Sequence, residues 1–190
     1  PVNEEGKALA EILLKEKESR KACKIDICSI LRNKKLEGPD IGCHVIKTWP
    51  KQDISELIKK ARVEWPWGST FCETDVRLKR AVLVAAMTEA KYEAALDEHI
   101  VACEIDRGAG NEKYKFKLSM TPRITFEQGK AVSAVVNWGT LEAPAVAKGV
   151  LWPATALDNQ LNVLSGQVVD AVNKFAGSKC DEVKDALEAE

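Results

Sequence analysis

Six cysteines, at 23, 28, 43, 72, 103 and 180, constrain this fold more than any other feature of the chain. Their number is even, and no two have C-x-x-C spacing, which argues against zinc-ribbon and thioredoxin-type chemistry. The closest pair, Cys23 and Cys28, falls in a stretch where Cys23, Ile27, Ile30 and Leu31 share one helical face. Residues five apart in a helix rise by about 7.5 Å along its axis. Bridged Cα atoms lie within roughly 7 Å of each other. Either the helix breaks near Asp26, or Cys23 and Cys28 each take a distant partner. Cys43 and Cys103 sit on predicted strands and can face each other if those strands are adjacent and in register. Alternatively, Cys28 closes a loop to Cys43, and Cys180 ties the C-terminal segment to Cys23 or Cys72. Six cysteines allow about 15 connectivities, so the spacing alone leaves the choice open.

Disulfides persist in oxidising compartments, so two or three bridges among Cys23, Cys28, Cys43, Cys72, Cys103 and Cys180 predict an exported protein, periplasmic or secreted. The competing expectation is a set of buried free thiols. Pro1 as first residue fits a mature chain after signal-peptide removal, and fits a trimmed fragment equally well. No apolar run reaches the length of about 18 residues that a transmembrane helix needs. With 28 basic and 29 acidic residues the net charge is −1. The short basic clusters, 32–35 and 59–60, form no stripe, so nucleic acid is not an expected partner.

Periodicity predicts helices over 4–16 and 19–33, then a break at 37–40. A strand follows over 41–49, where Ile41, Cys43, Val45 and Trp49 alternate with smaller or polar residues. A helix is expected from Asp53, acting as N-cap, to about 61. A longer one is expected over 74–97, placing Cys72 at a helix start. Period-two patterning then returns over 101–105, 114–121, 124–126 and 132–138, with Pro122 as an interruption and Gly129 as a hairpin turn. These strands read as a three-strand antiparallel meander. Lys115, Lys117, Arg123, Ser133 and Asn137 form its polar face. A long apolar stripe from Leu157 to Phe175 predicts a helix over 154–176, opened by Pro153 and stopped by Gly177. The expected architecture is α+β. It is an antiparallel sheet of about four strands, the meander plus the earlier strand, covered by helices and stapled by disulfides. All of 1–190 is expected to be one domain, with 1–36 an N-terminal helical segment, 41–146 the strand, helices and meander, and 150–190 C-terminal helices.

The sequence nominates no catalytic residue, metal ligand or cofactor. Cys43 and His44 are strand neighbours whose side chains point to opposite faces, which hinders joint metal binding. His99 and Cys103 lie about 13 Å apart if both are on a strand. Glu104 and Glu127 form an acid pair only if the fold joins them. The tryptophans carry more information. Trp49, Trp65 and Trp152 each precede proline, which pushes them to extended geometry and to element boundaries. Together with Trp67 they are the candidate ligand- or partner-binding residues, since tryptophan is a favoured interface anchor. The bland account is that each closes one end of the core. The expected function is binding of an unidentified protein or small ligand, without catalysis. The alternatives are a hydrolase whose acids or histidines converge only in the fold, and a structural envelope component. A cleft holding His44 or His99 beside a carboxylate would favour the enzyme. An apolar cavity lined by tryptophan and sheet aromatics would favour binding.

Overall fold

The computed structural model describes residues 3–188. Pro1, on which the processed-terminus expectation rests, lies outside them. Two helices open the chain, α1 (Glu4–Ser19) and α2 (Lys21–Asn33). The first is capped by Asn3, whose Oδ1 accepts from the Glu5 N–H at 3.1 Å. The second is unbroken, so Cys23 and Cys28 take distant partners. Strand β1 (Ile41–Trp49) leads through Pro50 into α3 (Lys51–Lys59), which begins two residues before the expected Asp53 cap.

The expected helix over 74–97 is instead three elements: β2 (Thr70–Leu78), α4 (Arg80–Thr88) and β3 (Lys91–Ala95). Its helical spacing holds only within α4. Before it, Phe71, Glu73, Asp75 and Arg77 alternate with Thr70, Cys72, Thr74 and Val76, a period-two pattern placing the charges on one face. Cys72 therefore lies on a strand, not at a helix start. The remaining strands are β4 (His99–Ile105), β5 (Tyr114–Met120), β6 (Arg123–Glu127), β7 (Lys130–Val135) and β8 (Trp138–Glu142). After them come α5 (Ala145–Leu161), α6 (Ser165–Lys174), a π-helical turn (Phe175–Lys179) and α7 (Lys184–Glu188).

The fold is α+β, with a five-stranded sheet in the order β1-β2-β4-β5-β8 and a three-stranded sheet in the order β3-β6-β7. All pairings are antiparallel. The expected meander is thus divided between two sheets, and with β2 and β3 formed where helix was expected the described residues hold eight strands rather than four. Consecutive strands β3–β4, β5–β6 and β7–β8 each cross from one sheet to the other, so the two sheets are halves of one set of bent strands. Proline cannot donate to a ladder, and at Pro122 the chain crosses. Its carbonyl instead accepts from the Leu96 N–H at 2.9 Å. Asn137, at φ 54°, makes the return bend, and its Nδ2 donates to the Thr121 carbonyl at 2.9 Å. The β6–β7 hairpin turns through Gln128 and Gly129, both at positive φ, as the sequence position of Gly129 implies.

Exposed strand edges invite pairing with other chains. Here helices seal three stretches of edge with side chains. On β1, the Thr48 N–H and hydroxyl both donate to Glu16, each at 2.6 Å, and Arg20 Nη1 donates to the Ile46 carbonyl at 2.7 Å. On β7, the carboxamide of Asn173 in α6 accepts from the Ala131 N–H and donates to its carbonyl, at 2.9 and 3.0 Å. Asn159 of α5 does the same for Trp138 at the start of β8, at 2.9 and 2.8 Å. Each carboxamide takes the place of a neighbouring strand.

The six cysteines form three disulfides, Cys23–Cys43, Cys28–Cys180 and Cys72–Cys103. None matches a pairing proposed from sequence. Cys103 does face a cysteine across a ladder, but the partner is Cys72 on β2, directly opposite it. Cys43 is tied to α2. Cys28 and Cys180 are wholly buried and join α2 to the C-terminal segment. There Gly177 does not stop the helix, because the π turn carries it through. Arg32 Nη2 donates to the Ala176 and Gly177 carbonyls at 2.9 and 3.0 Å, satisfying acceptors that the wider turn turns outward.

Candidate apolar binding site

The pleat of the large sheet places Val45, Trp49, Thr70, Cys72, Val101, Cys103, Phe116, Leu118 and Met120 on one inner face. Helices α3 and α5 lie over it, contributing Ile54, Leu57, Ile58, Leu151 and Ala154. They do not close on the sheet completely. Between them is a cavity of about 420 Å³ whose walls are almost wholly apolar. That volume lies within the range of about 300–1,000 Å³ typical of small-molecule sites.

The nominated tryptophans separate into three groups. Trp49 and Trp65 line the cavity. Trp65 is buried, and its Nε1 donates to the Gly68 carbonyl at 3.0 Å, which fixes the ring. Trp67 is not in the wall but stands edge-on behind Trp65, with ring centroids 5.0 Å apart. Tyr114 continues the row at 5.5 Å from Trp67, and the Arg107 guanidinium covers Tyr114 at 3.9 Å. Trp152 departs from expectation. It lies in the middle of α5, not at a boundary, because that helix begins at Ala145 and Pro153 is inside it. An interior proline removes the hydrogen bond to the carbonyl four residues back. Here that carbonyl belongs to exposed Gly149. Trp152 is 52% exposed and faces away from the cavity wall.

Trp138 is not among the candidates that the sequence offers. It lines the cavity, and its Nε1 donates to the buried Asp158 carboxylate at 2.8 Å. The other oxygen of Asp158 accepts from the Leu164 N–H at 2.9 Å, so one carboxylate orients the ring and fixes the α5–α6 turn. The signal available was the strand alternation of Val136 and Trp138. That alternation marks a core position, and Trp138 lacks the following proline that singles out Trp49, Trp65 and Trp152. The aliphatic walls from α3 and α5 carry no distinguishing pattern at all.

The mouth is cationic. Arg20 and Lys47 both line the cavity, and the exposure of Lys47 marks its open side. Lys47 lies over the Trp49 ring at 4.0 Å from its centroid and stays exposed. Partial loss of water, reinforced by the positive charge of Arg20, holds the Lys47 ammonium below the usual lysine pKa. Thr70 also lines the cavity, and its buried hydroxyl has no hydrogen-bond partner among the described residues.

Neither histidine lines the cavity. His44 is on the outer, solvated face of the sheet, with Nδ1 at 2.8 Å from Asp75 and Nε2 at 3.3 Å from Glu73. Asp75 is the main cause of a raised His44 pKa, opposed by desolvation and assisted to a lesser extent by Glu73. A neutral imidazole has one N–H to donate, so both carboxylates accept from His44 together only when the ring is protonated. His99 is engaged at both nitrogens by backbone, Nδ1 at 2.7 Å from the Asp97 carbonyl and Nε2 at 3.2 Å from the Arg77 N–H. Glu104 and Glu127 lie on strands of different sheets. Among the described residues no group of three or more His, Cys, Asp or Glu side chains is placed to hold a metal ion. Nor is any described helix long and apolar enough to cross a membrane.

No family model, curated protein or solved structure matches this chain.

Proposed function

We propose that this protein is an exported, periplasmic or secreted, non-enzymatic binding protein that takes a small apolar ligand between its large sheet and helices α3 and α5. The observation that carries the reading is the cavity of about 420 Å³, lined by Trp49, Trp65, Trp138, Phe116 and aliphatic side chains. Protein interiors are packed with few voids larger than a water molecule. A cavity of this size removes dispersion contacts from every side chain around it. Filling it with an apolar molecule returns those contacts, which gives a ligand a physical reason to bind. Three disulfides are compatible with an oxidising compartment, which is the basis for the export.

The test uses N-phenyl-1-naphthylamine, an uncharged apolar fluorophore. Its emission is expected to rise and shift to the blue on addition of the protein, saturating at one site. In Ala154→Phe, whose new ring occupies the cavity, affinity should fall by about tenfold or more, the equivalent of about 1.4 kcal/mol. Absence of saturable binding by the native protein would end the proposal. So would unchanged affinity in a folded Ala154→Phe protein.

A further inference from the structure

The cavity combines an apolar interior with a mouth that carries positive charge, and those two properties select a ligand class. We propose that its ligand is a single-chain anionic amphiphile, with the chain among the sheet aromatics and the anionic head held at the Lys47–Arg20 mouth. This rests on the apolar-binding function above and specifies its substrate class.

Volume sets the chain count. A water molecule's share of liquid volume is about 30 Å³, and a methylene group takes slightly less. A space of about 420 Å³ therefore matches one aliphatic chain of medium length and is too small to enclose two. Charge sets the head. Neither Lys47 nor Arg20 has a carboxylate within ion-pair distance among the described residues. Arg20 uses one nitrogen on the Ile46 carbonyl. The acids nearest in influence on Lys47 are Asp53 and Glu16, and Glu16 is committed to Thr48. Glu73 contributes to the wall, but its carboxylate is turned to His44 on the opposite face. Lys179 adds positive charge to the same region. Two cations without anionic partners beside an apolar space are complementary to an anion that brings its own tail.

A second polar contact lies just inside. Thr70 is directly opposite Trp49, and Cys72 directly opposite Lys47, on the same pleat face. The Thr70 hydroxyl is thus a diagonal neighbour of Lys47, and it lacks a partner among the described residues. It can donate to a head-group oxygen that enters past the Trp49 ring.

The experiment compares laurate with 1-dodecanol at pH 8, each displacing N-phenyl-1-naphthylamine from the native protein. Both have the same chain length and differ in head charge. Laurate should bind about tenfold or more tightly than dodecanol, since a hydrogen bond to a charged group is worth about 1.5–3 kcal/mol. Lys47→Gln should lower laurate affinity about tenfold more than dodecanol affinity and so remove most of the preference, while Lys47→Arg retains it. Equal affinity for the two, or a Lys47→Gln loss of the same size for both, overturns the anionic assignment and leaves apolar binding intact. Displacement by neither overturns the amphiphile assignment, whereas absence of saturable N-phenyl-1-naphthylamine binding overturns the apolar site itself.

Discussion

At the scale of single residues, the most informative side chains are charged ones in unexpected surroundings. His44 sits between Asp75 and Glu73 on open sheet surface, and these carboxylates raise its pKa from an ordinary value of 6.5. A group whose folded pKa is raised adds stability that is fully present below the unfolded value and disappears as pH rises through the folded one. The charged imidazolium therefore favours the fold in mild acid, and its contribution fades from pH 6.5 upward. His44→Gln should lower the melting temperature at pH 5.5 and leave it almost unaltered at pH 9, as read by calorimetry. An equal loss at both values would mean that packing, and not charge, is what the ring supplies. The tryptophans carry a different lesson. A residue before proline is biased towards extended backbone, which locates Trp49 correctly at the end of β1. The same rule misplaces Trp152, because helix α5 accommodates Pro153 at its solvent side.

At the scale of elements, this protein finishes its sheets with helices. Glu16 is the plainest case: a buried carboxylate on an otherwise exposed helix, accepting both the N–H and the hydroxyl of Thr48. Leaving a buried donor unsatisfied costs about 1–3 kcal/mol. Glu16→Ala should lose that much stability in urea unfolding and, by opening the β1 edge, promote self-association visible in light scattering. Glu16→Gln keeps one acceptor and should lose less. A Glu16→Ala protein as stable and monodisperse as the native chain would show that α1 does not guard the edge. Helices α1 and α2, strand β1 and the β6–β7 hairpin are legible in sequence because each has one period and one clear boundary. The region 70–97 is not, because β2, α4 and β3 follow one another with almost no turn residues between them. The meander was legible as strands but not as two sheets. Which sheet a strand joins depends on the bends at Pro122 and Asn137, and a local pattern of alternation is the same on either side of a bend.

At the scale of the whole molecule, one disulfide, Cys72–Cys103, is in the cavity wall, and the other two fasten α2 to the rest of the fold. Cys28–Cys180 closes the largest loop, spanning 152 residues, and the chain-entropy estimate for such a loop is about 5 kcal/mol. Cys23–Cys43 spans 20 residues, for which the same estimate gives about 3 kcal/mol. The long-range bridge fastens α2 to the C-terminal segment, away from the cavity. Cross-links of this kind let a fold keep an unfilled space that would otherwise weaken it. The even cysteine count and their dispersal along the chain announced that such fastening exists. The connectivity was beyond reach, since it depends on β2 being a strand beside β4. The cavity was equally hidden, because an apolar residue that packs tightly and one that lines a void look the same in a sequence.

The central claim is that the inner face of the large sheet receives a ligand, and methyl chemical-shift mapping tests it directly. On titration with N-phenyl-1-naphthylamine, the methyl signals of Val45, Ile54, Val101 and Leu118 inside the cavity should move in a saturable manner. Those of Ile100, Val132 and Val146, which are exposed at the surface, should stay in place. Shifts confined to the surface methyls, or none at all, would contradict the account.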